Sequence, residues 1–481
     1  MPGIRAPIYE ALLRYRAESN LLLHMPGHCG GRGFTVEEFA ELGRLDFTEV
    51  PGLDDLHNPT GPLQEARELM AAAFGAQESF FLVNGATSGI QTLFLATCNE
   101  GEPVLIPRNA HRSFLAGLVL SGAVPVYYPC IQADPWGIVV APEAGAVVSA
   151  LEKNPAAAAI FLASPSYYGT VADVREIVQT AQNYDKMVLV DEAHGAHFSF
   201  HPCLPPPALA QGSAAVVHGM HKTLPVLTQA AMLHIGCGFI PRARLRQAYH
   251  LLTTTSPSYP LLASLDLARS LLQERGYELL EKALQWAGEF RFKMKQVKGI
   301  DCPGEEFLQV PGVKGYDPLK VLLGVRGLSL TGYQVAVLLR ERFNIQVEMA
   351  GRDFILAMFS LYHDRNDWEE LYVALRSISQ QYPGPGEVAR LAVSPPPLPD
   401  LVLTPRQAYY SPWKKVKLAE AVGRIAGEMV AGYPPGIPCL LPGELVTPEV
   451  LDYLFYLRAN GAGIHGPEDP ELNYLYIIDE I

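Results

Sequence analysis

The chain has 481 residues, of which 49% are hydrophobic and 18% charged; this is ordinary globular usage and excludes a disordered chain or a coiled-coil rod. At roughly 150 residues per domain there is room for about two to four domains with full apolar cores. Lys and Arg number 37 against 50 Asp and Glu, a net charge of −13, which argues against nucleic acid as a partner and suits a cationic ligand.

Arg5, Glu10, Arg14 and Arg16 interrupt the opening apolar positions, so no secretory signal is expected there. No stretch approaches the ~18 uncharged apolar residues of a membrane span, and no membrane association is expected. The seven cysteines are scattered without a CxxC pair, which supports neither a disulfide framework nor a zinc ribbon. The cytoplasm is the expected compartment.

Short apolar runs at 79–83, 103–106, 124–128, 158–163, 187–190 and 214–217 alternate with helix-length segments. Near-continuous apolar strands in that rhythm predict an α/β fold with a mostly parallel sheet, its ligands bound beyond the carboxyl ends of the strands. Ile90, Leu93, Phe94 and Thr97 mark one face of a helix, so Asn84 to Gly89 lies where a strand hands over to a helix N-terminus. After Pro260 the texture turns to long helical patterns over 261–298, then a strand at 320–325 and a helix at 332–343. Six prolines between Gln380 and Asp400 form a semi-rigid connector. The expected organisation is a large domain over 1–260, a smaller α/β domain over 261–382, a linker over 383–399 and a small α+β domain over 400–481.

Asp191-Glu192-Ala193-His194 follows one apolar run, which places Asp191 within reach of a ligand at the sheet edge; a capping or buried aspartate is the other reading. The same four residues occur in helicases, but the sequence contains no Gly-Lys dipeptide and therefore no GxxxxGK[ST] phosphate loop. His218-Gly219-Met220-His221-Lys222-Thr223 follows another run and sets a lysine beside imidazoles in an apolar context, where desolvation favours nucleophilic competence. A lysine after one strand and an aspartate after another are what pyridoxal phosphate requires. The lysine binds the aldehyde as a Schiff base, and the aspartate keeps the pyridine nitrogen protonated so that the ring accepts electrons. Ala86, Thr87 and Ser88 offer hydroxyls and backbone amides at a helix start, suited to a phosphate ester, although a plain N-cap explains them as well. His111, after the run 103–106, can lie on a cofactor ring or be a satisfied surface histidine.

Two further matches are set aside. Gly461 to Gly466 fits GxGxxG, yet too few residues follow for a βαβ unit, and a turn is expected. His194 with His197 and His218 with His221 are spaced i, i+3 but have no third ligand in a zinc spacing, so no metal is expected.

Taken together these residues resemble the ornithine/lysine/arginine decarboxylase family, and most closely its shorter biosynthetic branch. The resemblance is carried by Met25-Pro26-Gly27-His28, Gly52 to His57, Phe80 to Gly89, Arg108 to Ser113, Ser164 to Gly169, Asp191 to Phe198, His221 to Gln229 and Thr254 to Pro260, with Ala421 to Ile425 and Tyr433 to Pro438 beyond the linker. It implies the aspartate-aminotransferase fold and pyridoxal 5′-phosphate as cofactor. It assigns Lys222 to the Schiff base, Asp191 to the pyridine nitrogen and His111 to stacking on the ring. Ala86, Thr87, Ser88 and His221 would hold the phosphate, with His194 beside the ring. It also implies a homodimer with the active site between subunits, toward which Asp54 to His57 and Ser256 to Tyr259 would reach.

The sequence departs from the family where Gln-Ser-x-His-Lys is usual. Here it reads His218-Gly219-Met220-His221-Lys222, without the serine hydroxyl expected near the phosphate; Cys29 likewise stands where a lysine usually follows Pro-Gly-His. The expected reaction is α-decarboxylation of a basic amino acid to CO₂ and agmatine or a diamine, for polyamine biosynthesis, with arginine favoured over lysine and ornithine. Lys222 or His221 would return a proton to Cα. The substrate's distal cation needs a carboxylate, for which Asp55, Glu348 and Glu444 are the candidates. Transamination or elimination by the same cofactor is the alternative chemistry, and a non-catalytic, cofactor-binding regulator is the alternative of another class.

Overall fold

The computed structural model describes residues 5–133, 135–236, 238–384, 396–433, 436–459 and 463–479. Most of the proline-dense connector, Pro434-Pro435 and Gly461-Ala462 lie outside the described residues. Seven strands and two helices place the site: β1 (Glu78–Leu82), α1 (Gly85–Thr97), β2 (Pro103–Pro107), α2 (Arg112–Ser121), β3 (Val124–Tyr128), β4 (Ile160–Ala163), β5 (Val188–Asp191), β6 (Ala215–His218) and β7 (Ala231–Ile235). Six of these strands fall within two residues of the apolar runs. β7 is the addition.

The chain forms two compact units, Met1–Thr97 with Val174–Lys282, and Cys98–Asp173 with Ala283–Ile481. In the first, the strand order is β1-β7-β6-β5. β5 and β6 are parallel, with Asp191 opposite Val217; β7 runs antiparallel to β6 and to β1. Two reversals restore the direction, so β1, β6 and β5 all end at one edge. The register sets Phe81 opposite Met232 and Met232 opposite His218, which aligns those ends to within a residue. Every residue of β6 and β7 is buried, as expected of strands covered on both faces. Gly89 lets α1 approach the sheet closely, since a Cβ there would stand 2.6 Å from Leu82 Cδ1 and 2.9 Å from Val217 Cγ1.

In the second unit β2 lies between β4 and β3, parallel to both. The same unit holds an antiparallel sheet in which Phe354–Met358 pairs with Lys320–Gly324 and with Met349–Ala350. The predicted helix over 332–343 is present as Gly332–Phe343, with Thr331 and Gln334 closing a capping box. Toward the C-terminus, Val430–Tyr433 pairs with Ile437–Leu440 and Gly463–His465, and Trp413–Lys417 pairs with Tyr474–Ile478. Leu418, Val430, Leu440, Val450, Leu454 and Leu475 are among the residues of a separate apolar core here. Gly463–His465 is thus a strand and not the expected turn, because its backbone finds a partner in Val430–Tyr433. No helix among the described residues is long and apolar enough to cross a membrane.

Candidate active site

The common edge of β1, β5 and β6 carries three short segments. After β1, Gly85 opens α1 with φ +70°, and the amides of Ala86, Thr87 and Ser88 occupy its first turn. The Ala86 and Thr87 N–H groups precede the first intrahelical bond and sit at the positive end of the helix dipole, a setting that binds anions. The Ser88 hydroxyl itself donates to Gly85 O at 2.9 Å.

Asp191 is the last residue of β5, and its Oδ1 accepts the Ala193 N–H at 3.1 Å. That bond orients the carboxylate and turns the chain, so that the buried His194 places its Nε2 3.0 Å from Lys222 Nζ. With the lysine as donor, the imidazole accepts at Nε2. Lys222 itself ends the single 3₁₀ turn Met220–Lys222 that follows β6. Beside it, His221 Nδ1 lies 3.0 Å from Ala230 O, the carbonyl that also receives the His221 N–H. Donation from Nδ1 to that carbonyl fixes the orientation of the ring. Lys222, Asp191, His194, His221 and the first turn of α1 are thus gathered at one sheet edge.

This donor set suits pyridoxal phosphate. An amine stands ready for an aldehyde, a carboxylate for a pyridinium nitrogen, and a helix start for a phosphate. The buried Thr223 hydroxyl, next to Lys222, has no hydrogen-bond partner, and it is one polar atom at this edge that a ligand can satisfy. Among the described residues no three His, Cys, Asp or Glu side chains are placed to hold a metal ion.

The other candidates are distributed elsewhere. Asp55 is exposed in the first unit, and its Oδ1 accepts the His57 N–H at 2.8 Å. The neighbouring Asp54, with φ +79°, ties its loop together by accepting from the Thr60, Gly61 and Leu63 amides.

In the second unit, His111 caps α2, its Nδ1 accepting the Ser113 N–H at 3.2 Å. Glu348 is exposed and accepts the Tyr167 hydroxyl. Glu444 is buried and grips Arg108 with both oxygens while also accepting the Leu441 N–H at 2.8 Å. The Arg108 guanidinium donates as well to Cys439 O and stands 4.9 Å from the centre of the Tyr127 ring. A substrate cation would have to displace Arg108 to reach Glu444. This carboxylate is committed to the fold.

Reading the residues in sequence missed Glu192, His218 and His234. Each is almost wholly buried; His218 and His234 lie within the buried strands β6 and β7, and Glu192 directly follows β5. A polar residue within an apolar run is the signal that points to His234; Glu192 and His218 stand at or just past strand ends and carry no such signal.

Comparison with known proteins follows the same lines. The sequence pattern of the Orn/Lys/Arg decarboxylase major domain matches residues 6–367, and that of the C-terminal domain of the same family matches residues 388–467. An arginine decarboxylase of Bacillus subtilis (strain 168) is 38% identical over 480 residues, spanning 98% of each chain. The constitutive lysine decarboxylase of Escherichia coli (strain K12) is 26% identical, covering 98% of this chain and 81% of its own. Among solved structures, the Francisella novicida lysine decarboxylase LdcF superposes with a TM-score of 0.85 at 22% identity, over 99% of this chain and 81% of that one. A ureidoglycine-glyoxylate aminotransferase from Bacillus subtilis does so with a TM-score of 0.53 at 14% identity, over 68% of this chain and 86% of that one. The fold is that of the aminotransferase-like α/β enzymes.

Proposed function

The chain belongs to the Orn/Lys/Arg decarboxylase family of pyridoxal-phosphate enzymes, and from that premise we propose that it decarboxylates arginine to agmatine and CO₂ at the edge that carries Lys222. The single observation that carries the site is the convergence of Lys222, His194 and Asp191 at the ends of two adjacent parallel strands. The choice of arginine is supported by the higher identity to an arginine decarboxylase than to a lysine decarboxylase.

When bound, the cofactor supplies an electron sink for the pair released as the carboxylate leaves Cα. Asp191, held by the Ala193 amide, keeps a proton on the ring nitrogen. The first-turn amides of Ala86 and Thr87, with Ser88 and His221, would hold the phosphate, and His111 would cover the ring. His194 accepts a hydrogen bond from the Lys222 amine and fixes where that amine stands; Lys222 or His221 then delivers the proton to Cα. The distal guanidinium of the substrate is matched by Glu348 or Asp55, the two exposed carboxylates among the candidates.

Exposed apolar side chains are concentrated at Leu21, Leu23, Met25, Val36 and Phe39, more than a monomer ordinarily leaves in one short segment. They support self-association, and the reading is completed by a homodimer with its active site at the subunit interface, a cytoplasmic location and a product that feeds polyamine formation. Sedimentation of the full chain tests the dimer; a monomer at micromolar concentration contradicts it.

Borohydride reduction of the loaded enzyme followed by peptide mapping tests the site. The pyridoxyl group is expected on Lys222, and Lys222→Ala is expected to abolish both the label and turnover. A label on another lysine would overturn the assignment.

A further inference from the structure

Glu192 is 3% exposed and His218 1%, and Glu192 Oε2 lies 2.8 Å from His218 Nε2. The second carboxylate oxygen accepts the Ala208 N–H at 3.0 Å, so both oxygens of a carboxylate removed from water have a donor. His218 Nδ1 is buried and meets no partner. A carboxylate only accepts, so His218 donates from Nε2 to Glu192. Behind it, the Phe74 and His234 rings lie 5.2 and 5.0 Å from His218 between centroids. His234 Nδ1 in turn pairs with the Ser79 hydroxyl at 2.8 Å.

This pair is one rung of a ladder that continues the strand pairing into the site. Asp191 is opposite Val217 in the β5–β6 register, and the Glu192 N–H donates to Val217 O at 3.0 Å. Next, the Glu192 carboxylate holds His218. Then Ala193 O lies 3.0 Å from where a Gly219 Cβ would stand, and the Lys222 stem fills that same space, with Cδ and Cε at 3.2 and 3.3 Å. Last, His194 meets Lys222. Glu192–His218 is a buried, charge-assisted hydrogen bond between the segment bearing Asp191 and the segment bearing Lys222.

We propose that Glu192 and His218 are a positioning pair for Lys222: their bond sets the spacing between the Asp191–His194 segment and the His221–Lys222 segment. The inference rests on the assignment of Lys222 and Asp191 above, and deepens it. Neither residue needs to touch substrate, since both act through the segments that they hold.

The test uses the loaded full-length enzyme with His218→Leu, His218→Gln and Phe74→Leu, and reads the visible band of the bound cofactor across pH, the cofactor dissociation constant, kcat, KM and the melting temperature. His218→Leu is expected to lower kcat about 10- to 100-fold, as ångström-scale misplacement of a reacting group does, while KM stays within about two-fold. It is also expected to shift the pH midpoint of the band and weaken cofactor binding. His218→Gln, whose amide N–H can reach Glu192, is expected to return kcat to within about three-fold of the wild type. Phe74→Leu loosens the same pocket without touching the bond, so it lowers the melting temperature and leaves the midpoint unchanged. Should His218→Leu fail to fold, His218→Asn, with an amide too short to reach Glu192, takes its place. A Lys222-dependent band indifferent to His218 overturns the inference alone, as does a shift in Phe74→Leu equal to that in His218→Leu. A band that survives Lys222→Ala overturns the assignment beneath it, and the inference with it.

Discussion

Restoring the family's usual serine at position 219 is expected to damage the enzyme. The backbone at Gly219, with φ −84° and ψ 79°, is one that L residues adopt, so space and not strain decides the outcome. A Cβ would stand 3.0 Å from Ala193 O and 3.2 and 3.3 Å from Lys222 Cδ and Cε, and serine adds an oxygen beyond it. Ala193 is pinned by its hydrogen bond to Asp191; the flexible lysine stem is what yields. Overpacking of this kind costs about 1–3 kcal/mol. If the displacement falls on the reacting amine, that range corresponds to a loss of about 5- to 150-fold in kcat. Steady-state kinetics and cofactor titration of Gly219→Ala and Gly219→Ser separate the effect of the Cβ from that of the hydroxyl. A Gly219→Ser enzyme equal to or better than the wild type in both measurements would refute the reasoning and show that the serine hydroxyl recovers its phosphate contact at no steric cost.

Two further outcomes follow from buried polar groups. Glu444→Ala leaves the Arg108 guanidinium buried without its carboxylate, which costs about 3–5 kcal/mol; at ~2 °C per kcal/mol the melting temperature should fall by at least about 6 °C. A fall of less than about 2 °C would mean that Arg108 relaxes into water. Burial, with His218 adding to it, pushes the His234 imidazole well below its ordinary value. In the unfolded chain it titrates near ~6.5, so below that pH the unfolded state binds more protons. Its contribution to stability is present above about pH 6.5 and is lost as pH falls, by about 1.4 kcal/mol per unit. Urea midpoints at about pH 7.5 and 5.5 should therefore drop less in His234→Gln than in the wild type; equal drops would contradict this.

The fold was legible where burial on both faces left near-continuous apolar runs, as in β5 and β6. β7 escaped because Gln229 to Ile235 follows a turn-rich stretch without a helical break, and nothing local says that a strand inserts between β1 and β6. The excursion of the chain out of the first unit at Cys98 and back at Val174 is marked by no change of composition. At the site, Lys222 and Asp191 stood out because each follows a strand, which is a one-dimensional signal. The Glu192–His218 bond did not, since it depends on which strand lies beside which and in what register. Glu444 illustrates the converse. Its sequence neighbourhood offers an acidic side chain, and only the three-dimensional contact with Arg108 reveals that the charge is already matched.

The most direct measurement is mass spectrometry of the products after the loaded enzyme is incubated separately with arginine, lysine and ornithine. The account predicts agmatine and CO₂ from arginine, formed faster than any diamine from the other two and abolished by Lys222→Ala. A keto acid from any of the three, or no amine from arginine while a Lys222-dependent cofactor band is present, would contradict it.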